Sequence, residues 1–177
     1  MTPRRTSRRI PAAMTLTLAG VVLLSGCTAS VALEPAADAV NPGCADIVVH
    51  LPTLVADQAE RETNAQATGA WGSPAAVLLH CGVAVPAPTT LPCLNVNGID
   101  WIEDDSAAPL YRYTTYGRTP ASEVVIDSGK VSGSTVLVDL ATVMAVIPAT
   151  AKCLGAADVT LPTDGGTLAP TTTTPAP

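Results

Sequence analysis

The sequence predicts a single small α+β domain: a mostly antiparallel sheet with two helices on one face, in a βαβ-β-β-α-like order. Three observations predict it. Short runs rich in Val, Ile and Leu recur between turns containing Gly, Pro and Asn. One stretch early and one late in the chain carry helical spacing. The length, 177 residues, allows one domain, and only 3% of it is aromatic with no Phe. Val, Leu, Ile and Ala must therefore build the core, and a core of that modest size gains from covalent cross-links.

The chain opens MTPRRTSRR, with four arginines and no acid, then runs through the apolar IPAAMTLTLAGVVLL to Ser25-Gly26-Cys27. A basic start, an apolar run and a small-residue site make a signal peptide over residues 1–26. The apolar run is about 15 residues, short of the roughly 20 that a membrane-spanning helix needs. Leu24-Ser25-Gly26-Cys27 matches the bacterial lipobox. Its cysteine becomes the new N-terminus, and its thiol is the nucleophile that receives diacylglycerol. Buried acyl CH₂ groups are worth about 0.8 kcal/mol each, so two chains hold a protein stably on a membrane. Cys27 is thus expected to carry lipid, which puts the protein on the extracytoplasmic face of the cell membrane. Ser7-Arg8-Arg9 resembles a twin-arginine signal, but Pro11 and Ala12 stand where bulky apolar residues should follow, which favours ordinary secretion.

Residues 27–43, from Cys27 through TASVALEPAADAVNPG, are small and aperiodic and read as a lipidated, flexible tether. The Thr/Pro-rich end, 162–177, reads as disordered. The folded unit is then 44–161. Within it DIVVHL (46–51) reads as a strand. Pro52 and Thr53 open a helix to about Glu62, with Asp57 and Arg61 at i, i+4. TNAQATGAWGSP reads as a loop, AAVLLHCGV as a strand and PAPTTLP as an excursion. LNVNGIDWIE turns at Asn97-Gly98. LYRYTTYG and SEVVID alternate as strands. TVLV follows as a strand, and a helix capped by Asp139 then carries Leu140, Val143, Met144 and Ile147 on one face up to Pro148.

Removing residues 1–26 leaves five Lys/Arg against fifteen Asp/Glu, a formal charge of −10. That balance argues against nucleic acid as a partner. With Cys27 reserved for lipid, four cysteines remain and allow three pairings in an oxidising compartment. The expected pairs are Cys81–Cys93, closing the Pro-rich excursion, and Cys44–Cys153, tying the start of the first strand to the segment after the last helix. No metal is expected: adjacent His80 and Cys81 point to opposite faces of a strand, and no Cys-x-x-Cys occurs.

The stretches RETNAQATGAWGSPAAVLLHCGV, NVNGIDW and YTTYGRTP stand in that order between the lipobox and the closing helix. As a set they resemble an actinobacterial family of secreted or lipid-anchored proteins known only as domain of unknown function 3515. The resemblance covers about 44–153 and implies an actinobacterial cell envelope. It brings no catalytic residue.

No nucleophile elbow, Ser-x-x-Lys, His-Glu-x-x-His or P-loop occurs, and no cofactor is expected. Glu103-Asp104-Asp105 does not match a calcium loop. One constellation remains. All five aromatics lie between 71 and 116, with Arg61, Arg112 and Arg118 close in sequence. Trp, Tyr and Arg build polar stacking surfaces, which makes Trp71, Trp101, Tyr111, Tyr113, Arg118 and Arg61 the candidate ligand surface. The competing expectation is that these tryptophans anchor the core and the arginines neutralise acids. Together these features point to a non-enzymatic, lipid-anchored envelope protein that binds a wall component or a partner protein. The alternative is an envelope-polymer hydrolase, which would need His80 beside an acid in a cleft.

Overall fold

The computed structural model describes residues 29–154. The expected signal peptide, Cys27 and the Thr/Pro-rich tail lie outside them. The described residues run α1 (Pro42–Val48), β1 (Leu54–Val55), β2 (Gln58–Arg61), β3 (Thr68–Trp71), β4 (Val77–Val83), β5 (Cys93–Val96), β6 (Ile99–Asp104), β7 (Leu110–Thr115), β8 (Ala121–Asp127) and α2 (Gly133–Met144). All eight strands form one sheet in the order β1-β2-β3-β4-β8-β7-β6-β5, and every pairing is antiparallel. The expected class, a small antiparallel α+β domain, is what the chain adopts.

The sheet is two four-strand meanders joined once. Residues 84–92 carry the chain from β4 to β5, past β8, β7 and β6. Four interstrand steps make about 19 Å, and nine residues reach about 30 Å when extended. The Pro-rich composition suits that run, because each proline removes a donor that a sheet crossing would leave unpaired. The register separates two faces. Trp71, Val77, Leu79, Cys81, Val124, Ile126, Tyr113 and Trp101 point to the core side, where they meet Cys44 and Ile47 of α1 and Val136, Leu137, Leu140 and Met144 of α2 in one cluster. Both helices therefore cover the same face.

Four local expectations change. TNAQATGAWGSP, read as a loop, contains β3 (Thr68–Trp71), which pairs with β4. DIVVHL is not a strand: α1 takes residues 42–48, started by Asn41, whose side chain accepts from Gly43 N–H at 3.0 Å, and by Pro42 at the first helical position. The Asn-Pro signal outweighs the β-branched run. Residues 53–62 form a hairpin instead of a helix. β1 and β2 meet at Ala56-Asp57, both with left-handed φ (47° and 59°). The Asp139 carboxylate accepts the Ala56 N–H at 2.7 Å, so the residue expected to cap the last helix fastens a distant turn. TVLV belongs to α2, which starts about two turns earlier than expected, with Ser132 at its N-cap.

The region read as a tether also packs from Val31 onward. Val31 bridges Thr63 in parallel, its N–H donating to Glu62 O at 2.8 Å. Ala39 is buried, and Asp38 donates to Gly82 O at 3.0 Å. Only a glycine permits that approach: Gly82 has φ +88°, and a Cβ there would strike the Asp38 backbone.

The four cysteines do form two disulfides, but in the third connectivity: Cys44–Cys81 and Cys93–Cys153, with Cα separations of 5.5 and 6.2 Å. The expected Cys81–Cys93 pair is excluded by topology. Cys81 faces the core from β4, whereas Cys93 stands four strands away, opposite Ile102 on the other face. That distance far exceeds a disulfide's Cα reach of about 7 Å.

Candidate functional site

The sequence-derived ligand surface dissolves in the structure. Trp71 and Trp101 are both 0% exposed. Trp71 Nε1 donates to Pro52 O at 2.8 Å, while Trp101 Nε1 is buried without a partner. Arg61 is a clasp, donating from Nη1 to Gly72 O at 3.0 Å and from Nη2 to Ala29 O at 2.9 Å. Arg118 is buried; it donates from Nη1 to Ile147 O, just past α2, and from Nη2 to Gly98 O at 3.3 Å. Tyr111 and Tyr113 stack with ring centroids 6.5 Å apart on the core side. These six residues hold the fold together, and the structure does not bring them into one surface.

A different constellation occupies the face that the helices leave open. The register sets Thr68, His80, Glu123, Thr114 and Ile102 side by side across β3, β4, β8, β7 and β6. Beside this row, Arg112 Nη1 donates to Glu123 Oε1 at 2.8 Å, with Arg112 about half exposed and Glu123 mostly covered. The 84–92 connection runs along the same face and walls a groove of about 570 Å³ whose floor holds Arg112, Thr114, Glu123, Asp104 and Ile102. On the other flank of that connection a second groove, about 460 Å³, is lined by Ile102, Tyr116, Lys152 and the Cys93–Cys153 disulfide. Ile102, Pro88, Thr89 and Leu91 border both. The Pro-rich excursion thus divides one open, mixed polar and apolar surface.

His80 lies next to the first groove. Its Nδ1 is buried and has no hydrogen-bond partner. Burial lowers its pKa, Glu123 raises it by less, and Arg112 lowers it further, so the net shift is downward and the ring is neutral at neutral pH. The imidazole thus stands beside a carboxylate already paired with an arginine, with its unpartnered Nδ1 turned away from solvent. Asp104, at the groove's edge, is half-buried and is held below the usual carboxylate range chiefly by hydrogen bonds from Ser106. It shapes the β6–β7 turn. Among the described residues no group of three or more His, Cys, Asp or Glu could hold a metal ion.

Sequence reasoning missed this cluster although its signal was present. Alternation within LYRYTT places Arg112 and Thr114 on one face, and alternation within SEVVID places Glu123 and Val125 on one face. What the sequence could not show is that β4, not β5, neighbours β8, which brings His80 to Glu123.

The fold and this open face define a small antiparallel α+β domain with a mixed polar and apolar groove on its uncovered side. The chain belongs to the family described as Protein of unknown function (DUF3515), which it matches over residues 11–169. No curated protein and no solved structure matches it.

Proposed function

We propose that this is a lipid-anchored protein of an actinobacterial cell envelope that binds a wall component or a partner protein in the open-face groove and does not itself catalyse a reaction. The lipobox ending at Cys27 supports the anchor. No described helix is long and apolar enough to cross a membrane. The observation that carries the binding reading is the groove floor: a guanidinium–carboxylate pair, a hydroxyl and an isoleucine side by side beneath a proline wall. Fixed polar groups beside apolar area give orientation and affinity together.

Crosslinking in the protein's own envelope followed by pull-down tests the groove. Wild type captures a defined ligand or partner; Arg112→Ala loses it while melting almost unchanged, since exposed substitutions move stability by less than about 0.5 kcal/mol. Undiminished capture by Arg112→Ala overturns the groove as the binding site. Acyl labelling tests the anchor separately: Cys27→Ser abolishes it, and persistent labelling overturns it.

One observation favours the second reading, an envelope-polymer hydrolase: His80 is neutral, opposite Glu123 and free at Nδ1. Its neutral state is the one a general base needs, although the Nδ1 atom is buried. Product release from envelope polymers that disappears in His80→Gln supports that reading; release that persists in the variant removes it.

A further inference from the structure

The N-terminal edge of the described structure is fastened tightly. Arg61 Nη2 holds Ala29 O at 2.9 Å, Val31 pairs with Thr63, and Leu33 N–H donates to the Asn64 side chain at 2.7 Å. Cys27 precedes Ala29 by two residues, a span of at most about 7 Å. A lipid on Cys27 would therefore leave the domain no slack: the surface around Arg61–Thr63 must sit at the bilayer.

That surface is polar at the fastening, where Glu60, Arg61, Glu62, Thr63 and Thr68 line it, and turns apolar beyond Val48. A shallow groove of about 320 Å³ joins Val48 and Leu51 to Arg61 and Thr63, and Val48 also borders an adjoining apolar hollow with Val40, Val49 and Ala67. Val40 is 75% exposed, Val49 73% and Val48 37%. Other exposed aliphatics lie elsewhere in the chain: Leu94 and Leu110 on strands, Val138 on α2, Val85 and Leu91 in the 84–92 connection and Leu154 beyond α2. Nothing cationic but Arg61 lies among the lining residues of these two hollows, and Glu60 and Glu62 lie beside it. Charge would not draw this corner to an anionic membrane. Apolar contact can hold it there, because a very short link keeps the local lipid concentration high.

We propose that the corner formed by Val40, Val48 and Val49 is a membrane-facing contact that lies against the bilayer holding the Cys27 lipid. This rests on the anchor proposed above. The test uses mature lipidated protein in phosphatidylglycerol/phosphatidylethanolamine vesicles containing bromine-labelled acyl chains, which quench nearby indoles. The native Trp71 and Trp101 are fully buried and supply a constant background. Val49→Trp loses most of its added emission, whereas Leu94→Trp, on β5 at the opposite edge of the sheet, keeps it. Val40→Trp is the second probe and behaves like Val49→Trp. Equal emission from the Val49, Val40 and Leu94 probes, in protein that floats with the vesicles, overturns the contact and leaves the anchor standing; that is also the outcome if a partner protein or a second copy covers the corner. Protein that fails to float with the vesicles overturns the anchor, and the contact with it.

Discussion

Arg118 sits where two chain ends converge. It donates to the carbonyl of Ile147 beyond α2 and to that of Gly98 in the β5–β6 turn, and it is 6% exposed. Arg118→Ala strands the buried Ile147 carbonyl and frees that of the exposed Gly98, and a buried group left unpaired costs about 1–3 kcal/mol. A drop of several degrees in thermal midpoint is expected; an unchanged midpoint would show that neither contact matters. Tyr113 makes a pH prediction. Burial, then the neighbouring Glu103, pushes its phenol up to about 12. The unfolded chain releases this proton near pH 10, before the folded one does, so stability falls as pH rises from about 10 to about 12. Tyr113→Phe flattens that alkaline limb, measured by denaturant unfolding across the range. Little of this was legible in sequence. The aromatics and arginines stood out by rarity, but whether a Trp faces core or ligand depends on strand register, which their spacing does not encode.

The elements most legible were those with a turn signal on both sides. β4 through β8 fall where alternation and the Asn97-Gly98 turn place them, since both turn residues take left-handed φ (50° and 82°) as a tight hairpin requires. The β1–β2 hairpin was illegible because its turn is Ala56-Asp57, which lacks glycine and leans on Asp139, 83 residues away. Left-handed backbone costs a non-glycine about 1–2 kcal/mol, partly offset by the greater unfolded-state freedom of glycine. Ala56→Gly therefore stabilises by up to about 1 kcal/mol, read from the denaturation midpoint. The disulfides answer to topology in the same way. Peptide mapping without reduction should return Cys44–Cys81 and Cys93–Cys153 and no other pair. The loops span 37 and 60 residues, and on the chain-entropy account losing either costs about 4 kcal/mol. α1 is the more exposed to loss, since its 7 residues fall well below the length at which a helix stands alone.

Across the whole molecule, the fold class was legible because antiparallel strands announce themselves one hairpin at a time. The strand order was not, because one long connection decides it and a Pro-rich segment does not say where it leads. That order has a consequence for position. The fastened N-terminal segment joins the sheet beside β2, and Cys153 is bonded to β5, six interstrand steps away. At about 4.8 Å a step this is nearly 30 Å, all of it hydrogen-bonded and closed at the far end by a covalent link. With the proposed lipid on Cys27, the sheet would act as a ruler with one end at that lipid and the other at the point where residues 155–177 begin. Its graduations are strands, and the Arg112–Glu123 pair lies on β7 and β8, at the midpoint and one step beyond it. On that anchor, a ligand held by this pair would stand at a fixed distance from the lipid, set by the number of strands and not by the length of a leash.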